Sequence, residues 1–160
     1  LSEPSQFESA FRQHLICNQI LVQSVLNSMK EQSYGRIINI ISTSVKQPLD
    51  NLGVSNTIRG AVANWPKTLA NELGQFNITV NNVLPGATLT SRLEAIIEKE
   101  SNLQNKSISE ITSQMLNTIP MKRFAFPLEI ANVVAFLASP LASYINGINL
   151  PVDGGRTKSL

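Results

Sequence analysis

Cysteine and histidine each occur once, as Cys17 and His14. One cysteine cannot close a disulfide within the chain or build a cysteine zinc set. A lone histidine leaves little material for a metal cluster or a Ser-His-Asp arrangement, so no metal is expected. Charge is nearly balanced, with 13 Lys and Arg against 11 Asp and Glu, a net +2. Arg12, Arg36, Arg59, Arg92 and Arg123 never form a run, which argues against nucleic acid or an anionic membrane surface as partner. No apolar stretch approaches the roughly 18 residues of a membrane span. The opening Leu-Ser-Glu-Pro-Ser-Gln has neither the basic start nor the apolar core of a signal peptide. A reducing, cytoplasmic setting is the expectation. A first residue of Leu1 rather than Met suggests that a segment upstream is missing.

What is present suits a packed domain. The chain has 160 residues, 42% of them hydrophobic, with a mean hydropathy of +0.03, enough for one domain with a core and far from a disordered composition. Ser5 with Glu8 reads as a capping box. Phe7, Phe11, Leu15, Val22, Val25, Leu26 and Met29 then predict an amphipathic helix from about Phe7 to about Lys30. Arg36 to Ile41 is a short β-branched run, the pattern of a buried strand. A loop from Ser42 to Gly53 leads to a second helical pattern at Ile58, Ala61, Val62, Trp65, Leu69 and Leu73, with Gly74 placed to end it. Pro66 lies inside that pattern and is expected to kink it, at about 3 kcal/mol. Ile78 to Leu84 is a second strand. Leu93, Ile96 and Ile97 mark a short helix. Ser107 with Glu110 caps another, and Pro127 starts one that stops before Pro140. Gly147 to Val152 and the turn Asp153-Gly154-Gly155 close the chain.

Strand, helix, strand with short joins is a βαβ unit, so the first two strands should be parallel with a right-handed crossover. Three strands and about five helices give an α/β fold with a thin sheet. Either this is a small α/β domain or an amino-terminal half is absent. Ligands bind at the carboxyl ends of strands in such sheets, so Ser42 and Pro85-Gly86 should face one crevice. Helical spacing sets Ser55 and Arg59 on one face at its mouth. Pattern alone therefore yields hydroxyls and one guanidinium, with no obvious proton-transfer catalyst.

Three segments carry a resemblance. Gly35-Arg-Ile-Ile-Asn-Ile-Ile-Ser42 resembles the strand that ends in the catalytic serine of the short-chain dehydrogenase/reductase family. Asn77 to Thr90, with its Asn-Asn-Val-Leu-Pro-Gly, resembles that family's next strand and Pro-Gly loop. Phe136 to Gly155 resembles its last helix and strand and its Asp-Gly-Gly end. The likeness covers the whole chain in order. It is nearest to a divergent subgroup similar to β-ketoacyl-acyl-carrier-protein reductases. It implies a Rossmann-type, doubly wound parallel sheet, with residues 1–160 as a single partial domain, the carboxyl-terminal part.

The function so implied is NAD(P)-dependent interconversion of a carbonyl and an alcohol. The family's tyrosine lies about 13 residues beyond the serine and its lysine four further on; those positions here hold Ser55 and Arg59. The helical asparagine of the family matches His14. The catalytic candidates are thus Ser42, Ser55, Arg59 and His14, of which only Ser42 keeps the family's residue.

Ser42 is either a donor to the substrate carbonyl or a strand-end hydroxyl serving the backbone. Serine is a far weaker acid than tyrosine, and Arg59 stays protonated and cannot act as its base. Ser55 therefore reads first as a helix-start hydroxyl. His14, with an ordinary pKa near 6.5, is a possible replacement acid, weighed against a packed helix residue. Arg59 as a ribose contact, with Pro85, Gly86 and Thr90 beside the nicotinamide, completes the implied cofactor set for NAD or NADP. The glycines, at 35, 53, 60, 74, 86, 147, 154 and 155, form no dinucleotide loop. A small carbonyl or alcohol is the implied substrate, and the family's helix packing implies a homodimer or homotetramer. The rival readings are a catalytically impaired relative that binds a dinucleotide or a partner, and an inactive piece without its cofactor half.

Overall fold

The computed structural model describes residues 2–159. Three parallel strands, β1 (Gly35–Ile40), β2 (Ile78–Pro85) and β3 (Asn149–Val152), lie in the order β1-β2-β3. Gly35 pairs with Ile78 and Ile40 with Val83, while Asn82 pairs with Asn149 and Pro85 with Val152. The helices are α1 (Pro4–Phe11), α2 (Cys17–Glu31), α3 (Gly53–Leu73), α4 (Ser91–Gln104), α5 (Ile108–Asn117) and α6 (Pro127–Ala138).

The central strand explains the layering. Every residue of β2 from Ile78 to Leu84 is buried, so both faces of the sheet are covered, as a parallel sheet requires. Ile78 and Val80 point to one side and pack with Ile37, Val22, Ala70 and Leu73, beneath α2 and α3. Val83 points to the other and packs with Leu137 and Ala142, beneath α6. The period of two in the strand thus divides the core into two layers. Each fully buried aliphatic side chain contributes about 1.5–3 kcal/mol. The two asparagines inside β2 follow the same alternation. Asn81 donates to the Ile145 carbonyl at 2.8 Å and accepts from the Ile148 amide at 3.2 Å. Asn82 donates to the Ala63 carbonyl at 3.1 Å and to the Asn149 side chain at 2.7 Å. Polar groups buried in a strand need such partners, and these partners dock β3 and α3.

Two local expectations are revised. The predicted first helix is divided: Arg12–Ile16 forms a π-turn between α1 and α2, and the Cys17 amide donates to the Arg12 carbonyl. Apolar periodicity does not register one widened turn. That helix starts at Pro4, with the Gln6 side chain accepting from the Glu3 amide at 3.0 Å, so Ser5 lies inside the first turn rather than capping it. α3 is continuous through Pro66, whose ring is buried.

Candidate active site

β1 ends beside β2, and the Ile41 amide donates to the Val83 carbonyl at 2.9 Å. The chain then leaves the sheet at Ser42, in extended conformation, and makes one tight turn over Thr43–Val45. This turn fixes the Ser42 hydroxyl. Its oxygen accepts from the Ser44 amide at 3.1 Å, which leaves its proton available to donate. Ser44 was not anticipated from sequence. Its own hydroxyl is buried without a hydrogen-bond partner, a rare condition for a buried polar group.

Below this turn, Ile41 packs with Ile58, Val62 and Ala63, and Ala10, Leu15, Val45 and Val54 close around them. This cluster binds the end of β1 to the π-turn and to the first turns of α3. It also sets the floor of a cleft of about 260 Å³ between them, with His14, Asn51, Ser55 and Arg59 as its polar wall. The sequence places these groups by simple means. Ser55 and Arg59 lie four apart on α3, one above the other. The π-turn carries His14 toward them, and such turns occur often at functional sites. A larger, shallower groove of about 980 Å³ runs along α1, lined by Phe7, Phe11, Arg12 and Ile16 among others. Its polar groups are Ser5, Glu8, Ser9 and Arg12.

Electrostatics distinguish the cleft. Burial lowers the pKa of His14, and the Arg59 guanidinium lowers it further, so neutral imidazole is favoured near pH 7. Burial also lowers the pKa of Arg59, which nevertheless remains charged. Among the described residues the one side-chain ion pair is Arg123–Glu129, at 2.6 Å; Arg59 takes no part in it.

Of the anticipated catalytic residues, the structure brings His14, Ser55 and Arg59 to one cleft. Ser42 lies outside that lining, at the end of β1 one residue beyond Ile41. Ser55 is the third residue of α3, and Leu52 precedes the helix with no side-chain cap. Ser55 thus stands in the first turn of α3, at the helix start, without serving as its cap. Pro85 is the last residue of β2, and the Gly86 amide donates to the Val152 carbonyl at 3.0 Å. A Cβ on Gly86 would lie 2.7 Å from both Cα and Cβ of Asp153, so this glycine permits close packing of the Asp153-Gly154-Gly155 turn. Thr90 caps α4: its oxygen accepts from the Leu93 amide at 3.4 Å and its hydroxyl donates to the Thr88 carbonyl at 3.2 Å. One lone pair remains. Among the described residues there is no group of His, Cys, Asp and Glu able to hold a metal, and no helix long and apolar enough to cross a membrane.

A parallel sheet covered on both faces, with hydroxyls and a guanidinium at the carboxyl end of its first strand, defines a Rossmann-type α/β protein. Residues 2–157 match the family model described as enoyl-(acyl carrier protein) reductase, and the chain belongs to the short-chain dehydrogenase/reductase family. It is 34% identical over 152 residues to the NADPH-dependent reductase BacG of Bacillus subtilis, covering 95% of this chain and 59% of that protein. The 3-oxoacyl-[acyl-carrier-protein] reductase FabG of Staphylococcus epidermidis is 38% identical over 136 residues, covering 84% and 50%. The crystal structure of YwfH, an NADPH-dependent reductase involved in bacilysin biosynthesis, superposes with a TM-score of 0.93 at 31% identity, covering 99% of this chain and 61% of that one. The chain thus spans about half to three-fifths of the length of these relatives.

Proposed function

We propose that the protein is an NAD(P)-dependent oxidoreductase that interconverts a small carbonyl compound and its alcohol through a non-standard catalytic set. We read residues 1–160 as the carboxyl-terminal part of the domain. The observation that carries this reading is the Ser42 hydroxyl. Its acceptor side is engaged by the Ser44 amide, and its proton can be donated to a carbonyl oxygen at the end of β1, where ligands of parallel sheets bind. NADPH-dependent relatives support the choice of cofactor.

The residues present fit a nicotinamide riboside. Arg59 lines the cleft and makes no ion pair among the described residues, and its fork of donors suits ribose hydroxyls. Pro85, Gly86 and Thr90 border the place of the ring, and the spare lone pair of Thr90 can accept from a carboxamide. When bound, the nicotinamide supplies or takes up a hydride. The remaining work is the chain's own. Ser42 polarises the carbonyl by donating to its oxygen. His14 as imidazolium gives the proton that completes the alcohol, and as neutral imidazole takes it back in oxidation. Ser55 adds a hydroxyl to the same wall but is too weak an acid to act without a base. Loss of the family's tyrosine acid should cost about 10² to 10⁴ in rate, so slow turnover is expected. We also propose a homodimer or homotetramer, supported by the exposed Ile20, Leu21 and Val25 of α2.

Fluorescence titration of the intact protein with NADPH and NADH, followed by cofactor consumption with β-keto and simple carbonyl compounds, tests the reading. Saturable binding with slow consumption is expected. No binding at millimolar cofactor would overturn it. The absent Tyr-Lys pair favours a second reading, a relative that binds the dinucleotide without turning over; binding with no detectable consumption would select it.

A further inference from the structure

Arg59 is anomalous among the charged groups of the cleft. Polar groups that share its wall, Ser2, His14, Asn51 and Ser55, carry no negative charge; the imidazole is held toward its neutral form. Asp50, next to Asn51 in the chain, makes no ion pair with Arg59. The guanidinium is partly desolvated and makes no ion pair among the described residues. A desolvated charge is costly unless it is paired, and nothing in the wall compensates it. Its interaction capacity is also larger than a ribose uses. Guanidinium has five N–H donors in a planar fork, and two vicinal hydroxyls occupy two of them at most. The free edge matches a carboxylate, which accepts two parallel bonds with like geometry. The remaining wall is apolar at Ala10, Leu52 and Ile58. At about 260 Å³ the cleft lies just below the usual range of ligand sites.

We propose that the substrates are small oxo acids and their hydroxy acids, with the carboxylate held by Arg59. This rests on the oxidoreductase reading and narrows its substrate class. One consequence concerns proton transfer. A bound carboxylate compensates the Arg59 charge that opposes protonation of His14, so an anionic substrate would favour the imidazolium that reduction needs. A neutral carbonyl compound would not.

The test is a matched pair of ligands on the intact protein with cofactor bound. Calorimetric binding of 3-hydroxybutyrate and of its methyl ester is measured with NAD(P)⁺ present, and kcat/KM of acetoacetate and methyl acetoacetate with NAD(P)H. The acid should bind at least tenfold tighter than the ester. Arg59→Gln should bring that ratio near one, and Arg59→Lys should keep part of it, because charge remains while the fork is lost. The ratio is the readout, since Arg59→Gln also weakens cofactor binding for both ligands alike. Equal binding of acid and ester, or a preference unchanged in Arg59→Gln, would overturn the proposal while leaving cofactor binding intact. A protein that binds no NAD(P)H at all would instead defeat the oxidoreductase reading beneath it.

Discussion

Gly86→Ala separates two meanings of the loop after β2. If Gly86 matters because a ligand approaches its backbone, an added methyl should weaken cofactor binding and leave the fold alone. The structure argues for packing first. The new Cβ would lie 2.7 Å from Cα and Cβ of Asp153, whereas ordinary carbon contacts fall near 3.5–4.0 Å. One of those atoms is backbone, so no rotamer change relieves the contact, and the turn must retreat by roughly 1 Å. That retreat strains the bond from the Gly86 amide to the Val152 carbonyl and the two amides, of Gly155 and Thr157, that the Asp153 carboxylate accepts. Overpacking of this kind costs about 1–3 kcal/mol. For a protein of this size each kcal/mol moves Tm by about 2–4 °C, so a fall of about 2–12 °C is expected. Circular dichroism melts of wild type and variant, beside cofactor titrations, give the answer. A Tm unchanged within about 1 °C, with only cofactor affinity reduced, would refute the packing argument.

Leu137→Ala should lower stability by about 2–5 kcal/mol in urea titrations, because Leu137 is fully buried between β2 and the turn at Ala142. His14 should set the pH profile. Its pKa is lowered by burial and by Arg59, so the reduction rate should fall as pH rises through a value below 6.5, and His14→Gln should flatten that limb. Stability carries the same residue with its own sign: the depressed pKa favours the neutral form in the fold, so this contribution is complete above about 6.5 and is lost as pH falls toward the lowered value. Glu129 is held down to about 2, chiefly by its bond to Arg123 and then by the Phe126 amide. Its contribution is present above the ordinary carboxylate pKa and is lost as pH falls toward 2. Glu129→Gln should remove that part of the acid limb in melts recorded between pH 5 and 2.

Much of the fold was legible because its signals are local. β-branched runs marked β1 and β2, Pro127 marked α6, and the Ser107–Glu110 box that caps α5 is present, with the Ser107 amide donating to Glu110 at 2.8 Å. The π-turn was not legible, since one widened turn barely shifts an apolar stripe. The local cost of Pro66 was visible, but its burial depends on the tertiary fold. At the site, the four-residue spacing on α3 identified Ser55 and Arg59 as neighbours, and the structure added His14 across the cleft. The fixing of the Ser42 oxygen by the Ser44 amide depends on the turn adopted after β1, and Ser-Thr-Ser alone does not specify that turn. The packing of Gly86 on Asp153, 67 residues later in the chain, leaves no mark in the sequence.

The central claim is that Ser42 donates a hydrogen bond to the reacting oxygen. Single-turnover hydride transfer by wild type and Ser42→Ala, at saturating cofactor and substrate, tests it most directly. Removal of one such donor should slow transfer by about 10² to 10³ while the affinity for NAD(P)H stays the same. Transfer at the wild-type rate in Ser42→Ala would contradict the account.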